Sequence, residues 1–256
     1  MSLRPGRLYR HAAPDPRGVA EVAALLREAG SPAIVVGDEV ARTGAIADLV
    51  RLAERIGAPV WFEAMRGHAS FPSAHPHARS TLPFEAAGIR KSLAGADLVL
   101  LLGGAFFEEV WYTPGSPFPE GAKVVQIESS ARPLAYNHPI DLGLVADLGA
   151  ALRALDEALA GSVDDAWRAA AARRCNGLAG QKAAETAAYG ARRSKAWARE
   201  PISIPRVMAD VRKGTPLQAL VVEEVITASV DFGASFGFEA GDQYLGARGG
   251  GIGQGV

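Results

Sequence analysis

The run Leu98-Val99-Leu100-Leu101-Leu102, closed by Gly103-Gly104, constrains the fold more than any other stretch of this chain. Five successive apolar residues leave no polar face, so a strand made of them must be covered on both sides. Ala33 to Val36, ending at Gly37-Asp38, has the same character, as do Pro59 to Phe62 and Val124 to Ile127. Leu142 to Val145 is the last run of this kind before residue 160. Between the runs the apolar spacing changes to a helical period. Asp15 and Pro16 read as an N-cap and first helical residue. Val19, Val22, Leu25, Leu26 and Ala29 then share one face, and Gly30 ends the helix. Ile46, Leu49, Val50 and Leu52 form a second amphipathic helix that stops at Gly57. A further helix is expected near Glu85 to Ala94, and Asp147 caps another that runs to Leu159.

Strands alternating with helices predict an α/β fold: a three-layer, doubly wound parallel sheet of Rossmann-like type over residues 1–161. Ligands of such sheets sit beyond the carboxyl ends of the strands. Gly37, Ala64 and Gly103-Gly104 therefore mark the expected crevice. Asp38 and Glu39, just after the first strand, suit either a ribose or a helix cap, and the cap is the reading adopted here. Residues 162–200 change to alanine and arginine, as in Ala169 to Ala172, Arg173, Arg174, Arg192 and Arg193. They read as a solvated helical connector and not as a nucleic-acid patch. Residues 201–256 begin a second, truncated α/β segment, with a helix around Pro205 to Arg212 and a strand from Leu220 to Glu223. Seven glycines follow between Gly241 and Gly255. A glycine loop after a strand leads into a helix whose start can hold a phosphate, so more chain is expected beyond Val256.

The formal net charge of −1 provides no global attraction for nucleic acid or anionic membranes. No apolar run reaches membrane-spanning length. The single cysteine, Cys175, excludes an internal disulfide and fits a cytoplasmic location. The glycines match neither the dinucleotide fingerprint nor a Walker motif. His68, His75 and His77 share one loop, but their spacing suits no helix face and no nearby carboxylate pair completes a zinc set. His75 lies between Ala74 and Pro76 in a proline-stiffened loop. An acid–base role and a structural hydrogen bond both remain open for it at this point. Glu223-Glu224 ends a strand, as a charge pair or as the edge of a phosphate site with Thr227.

Several stretches in order resemble the thiamine-diphosphate-dependent enzymes, most of all benzoylformate decarboxylase and more distantly acetolactate synthase. These are Phe71-Pro-Ser-Ala-His75-Pro-His, Leu82-Pro83, Gly95 to Gly104, Pro201 to Ile204, Val221 to Glu224 and Gly250-Gly-Ile252-Gly253. The resemblance implies a central domain, the connector over 162–200, and the start of a diphosphate-binding domain over 201–256. It implies thiamine diphosphate and Mg²⁺ as cofactors, a 2-keto acid substrate, and a homo-oligomer. By resemblance, His75 is the catalytic residue that handles protons on the substrate or its adduct. Glu224, Thr227, Gly250, Gly251, Ile252 and Gly253 are the cofactor-facing positions. Gly250 meets the aminopyrimidine through its backbone, and Ile252 wedges the cofactor into its bent shape. The activating glutamate of the family and its Mg²⁺-holding segment have no counterpart in residues 1–256, so the chain alone is expected to be inactive. Gly246 stands where the likeness calls for phenylalanine, and Val225-Ile226-Thr227 replaces a Thr-Ser stretch. Two alternatives are a flavin- or nucleotide-binding module, since acetolactate synthases carry FAD, and a structural domain for subunit contacts. The missing fingerprint argues against independent NAD binding, and a yellow purified protein would support flavin.

Overall fold

A computed structural model describes residues 12–108, 113–225, 227–246 and 253. In chain order the elements are α1 (Pro16–Glu28), β1 (Pro32–Val36), α2 (Glu39–Arg42), α3 (Ile46–Ile56), β2 (Val60–Phe62) and β3 (Ala78–Thr81). Next come α4 (Ala86–Ser92), β4 (Leu98–Leu102), β5 (Lys123–Glu128), β6 (Leu142–Val145) and α5 (Leu148–Ala160). The remainder is α6 (Asp165–Ala196), α7 (Ile204–Gly214), β7 (Val221–Glu223), α8 (Ser229–Ser235) and β8 (Tyr244–Gly246).

The first six strands form one parallel sheet in the order β3-β2-β1-β4-β5-β6. This is a doubly wound arrangement whose strand order reverses between β1 and β4. The apolar runs follow directly from it. Ile34, Val36, Leu100, Leu102, Val125 and Ile127 turn to one face, where they pack with residues of α1, α3 and α5. Ala33, Val35, Val99, Leu101 and Val124 turn to the other, against α4 and the phenylalanines Phe106, Phe107 and Phe118. Fully burying one such leucine or isoleucine contributes about 1.5–3 kcal/mol, so both faces select for apolar residues at every position.

The helix ends obey local chemistry. Asp15 accepts from the Arg17 N–H at 2.9 Å, with Pro16 in the first turn, and Asp147 accepts from the Ala150 N–H at 2.9 Å. Gly57 ends α3 at φ 62°, and a Cβ there would lie 2.5 Å from the Ala171 carbonyl of α6, so both the turn and the close approach require glycine.

Two expectations change. The stretch after β2 is not all loop, because Ala78–Thr81 joins the sheet as its edge strand. Its Arg79, Ser80 and Thr81 give no apolar signal, as suits an edge. Asp38 stands at the start of α2 but makes no capping hydrogen bond with its side chain. Its carboxylate accepts from the backbone N–H groups of Gly67 and His68 at 2.7 and 3.0 Å. Two donors on one loop outcompete the cap of a four-residue helix.

Residues Asp165–Ala196 form a single helix of 32 residues in which only Ala171 and Leu178 are buried. Among the described residues no helix is long and apolar enough to cross a membrane. Beyond α7, β7 and β8 pair in parallel, Val221 opposite Tyr244 and Glu223 opposite Gly246.

Candidate functional site

The carboxyl edge of the large sheet is the expected crevice, and its glycines serve close packing. A Cβ on Gly37 would lie 2.4 Å from the Gly103 carbonyl oxygen and 2.6 Å from the Gly104 Cα. The turns after β1 and β4 therefore touch backbone to backbone. Carboxylates gather around them. Glu63, at the end of β2, and Glu128, at the end of β5, are both buried. Glu128 accepts from the Gly104 N–H at 3.1 Å and from the Gln126 amide at 2.9 Å. Burial pushes its carboxyl up to about 8. Glu39 reaches across to the Ser129 hydroxyl and N–H. Strand-end logic marked the glycines here and passed over Glu63 and Glu128, which occupy equivalent positions.

The loop from β2 to β3 must travel from the carboxyl edge back to the amino edge, because the two strands are parallel. Its histidines are separated accordingly. His68 lies near Asp38, with its backbone bridged to Leu245. His75 and His77 lie at the amino edge, where the His77 ring Nδ1 meets the Ala58 carbonyl at 3.0 Å. Burial, and next to it the His75 ring, hold the His77 imidazole below the usual histidine range. No group of three or more metal-ligating side chains occurs among the described residues.

His75 is half-buried. Its ring packs edge-on to Phe71 and His77, with centroids 5.0 and 5.1 Å away. Its Nε2 is 3.2 Å from Glu54 Oε1 on α3. The loop is held from several sides. Lys182 of α6 donates to the Ser73 carbonyl at 2.9 Å, and Arg79 donates to the Leu178 carbonyl at 3.1 Å. Ser73 exchanges hydrogen bonds with Phe238: its N–H donates to the Phe238 carbonyl at 3.0 Å and its hydroxyl accepts from the Phe238 N–H at 2.8 Å.

Of the other sequence-marked residues, Glu224 directly follows the carboxyl end of β7. Tyr244 donates its hydroxyl to Glu223 at 2.9 Å, and Glu223 also accepts from the Val225 N–H at 2.7 Å. Burial raises the Tyr244 phenol, so it stays a donor. Glu224 accepts from the backbone N–H of Gly253. Thr227 is exposed in the turn before α8. Gly250, Gly251 and Ile252 lie outside the described residues. Among the described residues no hydrogen bond or ring contact joins His75 to Glu224, Thr227 or Gly253.

A family described as "Thiamine pyrophosphate enzyme, central domain" matches residues 19–155, more than half of the chain. The chain belongs to the thiamine pyrophosphate enzymes. Benzoylformate decarboxylase of Pseudomonas aeruginosa is 34% identical over 146 residues, which are 57% of this chain and 28% of that protein. Sulfoacetaldehyde acetyltransferase of Rhodobacter capsulatus is 35% identical over 165 residues, 62% of this chain and 28% of that protein. A solved thiamine diphosphate-dependent 4-hydroxybenzoylformate decarboxylase of Rhodococcus jostii RHA1 superposes with TM-score 0.75 at 25% identity. That superposition covers 98% of this chain and 44% of the other. The chain thus spans less than half the length of these relatives. For a thiamine pyrophosphate enzyme, the six-stranded sheet is the central-domain scaffold, and the family match covers α3 and the whole β2–β3 loop that together hold His75.

Proposed function

We infer that this chain is the central part of a thiamine-diphosphate-dependent enzyme acting on a 2-keto acid, as a decarboxylase or carboligase. The match of the family to residues 19–155 carries this reading. Residues 1–161 would be the central domain, 162–200 the connector, and 201–256 the beginning of a diphosphate-binding domain. The arrangement of β7 and β8 fits part of the cofactor's frame: two parallel strands pair side by side, and Glu224, just after β7, accepts from the Gly253 N–H. Glu223 and Glu224 repel phosphate, however, and the described residues hold no metal set. A diphosphate therefore needs Mg²⁺ and ligands from elsewhere in the whole protein.

Thiamine diphosphate, when bound, supplies a carbon nucleophile and an electron sink for decarboxylation. This chain would supply orientation and a proton. Backbone groups of Gly250, Gly251 and Gly253, the hydroxyl of Thr227 and the side chain of Ile252 would hold the cofactor. His75 would handle a proton at the substrate, as a histidine does near neutral pH. The whole protein would work in the cytoplasm as a homo-oligomer.

The test is CO₂ release from benzoylformate and pyruvate with thiamine diphosphate and Mg²⁺. The chain alone is expected to release none above a buffer blank. The whole protein is expected to release CO₂ and to slow by about 10²–10⁴-fold on His75→Ala. Turnover by the isolated chain overturns the incomplete site, and a silent whole protein overturns the reaction.

A further inference from the structure

Both ring nitrogens of His75 are engaged. Nδ1 accepts the backbone N–H of His77 at 3.1 Å, which closes a tight side-chain turn within the loop. A ring nitrogen that accepts a hydrogen bond carries no proton. In the neutral ring the proton is therefore on Nε2. Nε2 faces Glu54 Oε1 at 3.2 Å, and an ionised carboxylate can only accept. A doubly protonated ring would set an N–H at Nδ1 against the N–H of His77, two donors in opposition.

The surroundings restrict any rearrangement. Phe71 meets the ring at 79° and His77 at 68°, so the imidazole is wedged from two directions. The backbone is pinned by the His75 N–H on the Pro72 carbonyl at 3.1 Å and by the Ala78 N–H on the His75 carbonyl at 2.9 Å. The backbone of Glu54 is held on α3, and its carbonyl accepts the Cys175 thiol of α6 at 3.3 Å. The His75 side chain is 15% exposed and that of Glu54 is 56% exposed. An ion pair with one partner so open to water contributes little to stability. What the contact does supply is direction.

We propose that Glu54 is the positioning residue of His75: together with the His77 N–H it locks the imidazole as the Nε2–H tautomer, so that His75 presents a proton through Nε2 and offers no base at Nδ1. The chemical consequence rests on the proton-handling role proposed above; the tautomer does not. An orienting carboxylate of this kind sets which nitrogen carries the proton and where it points.

Long-range ¹H–¹⁵N spectra of the labelled full chain at pH 8, above the ordinary histidine range, distinguish the two ring nitrogens. The wild-type chain is expected to show His75 protonated at Nε2, with a visible Hε2 signal sheltered from solvent exchange. Glu54→Ala is expected to keep the backbone spectrum and lose that signal to exchange. Glu54→Gln retains an accepting oxygen and is expected to restore it. A ring protonated at Nδ1 in the wild type, or an Hε2 signal unchanged in Glu54→Ala, overturns the inference. Either result leaves the family membership and the keto-acid reading standing. Conversely, full CO₂ release by a His75→Ala whole protein would remove the proton-handling role and leave the tautomer intact.

Discussion

Glu128 shows how one buried residue makes the fold sensitive to pH. Its carboxyl ordinarily titrates at 4.5 and is raised to about 8 in the folded chain, chiefly by burial. Between these values the folded state retains a proton that the unfolded state has released. Stability must therefore fall as pH rises through this window. Glu128→Gln keeps an oxygen for the Gly104 and Gln126 donors and removes the titration. Urea denaturation is expected to find wild type and variant alike near pH 5, and the variant more stable by about 1–3 kcal/mol near pH 9. A variant with the wild-type slope would show that Glu128 is not the titrating group. Residues of this sort were hard to read in the sequence. His75 drew notice through its prolines, but its partner Glu54 lies 21 positions away on another element. Nothing in the local pattern of α3 distinguishes Glu54 from any solvated helix glutamate.

At the scale of elements, legibility followed burial. β1 and β4 announce themselves because sheet-covering helices demand apolar residues at every position. β3 and β8, at an edge and in a small pair, carry no such demand and went unread. The docking of α6 was also invisible, since only two of its residues are buried, and beyond them and the half-buried Trp167 much of the contact is polar. Arg174 carries much of it. Its guanidinium donates to the Ile56 carbonyl at 2.7 and 3.2 Å and to the Gly30 carbonyl at 3.3 Å. Ile56 is the last residue of α3, where carbonyls lack helical partners and a positive charge is favoured. Arg174→Met should keep the aliphatic stem and lose these bonds, costing about 1–2 kcal/mol by urea denaturation. No change in midpoint would mean that water replaces the guanidinium without loss.

For the whole molecule, the β2–β3 loop is the junction between the large sheet and the segment that follows α7. Ser73 clasps Phe238, the Gly246 N–H donates to the Gly67 carbonyl at 2.9 Å, and Arg66 lies over both Phe62 and Tyr244. Ser73→Ala removes only the hydroxyl of the clasp. Amide hydrogen exchange over residues 236–246 is expected to quicken about ten-fold, the equivalent of one hydrogen bond, while amides of β1, β4 and β5 stay as they were. Equal quickening in both regions would show one cooperative unit instead of two joined ones.

The small β7–β8 pair has a practical consequence. Parallel strands occur almost only with both faces covered, yet the Val222 side of β7 is 41% exposed and neighbouring Leu220 is 52% exposed. A short parallel ladder with open apolar flanks is a template for stray strands. Purified chain should thus be stickiest at high concentration and in sulfate-rich buffers, which drive apolar surface out of water.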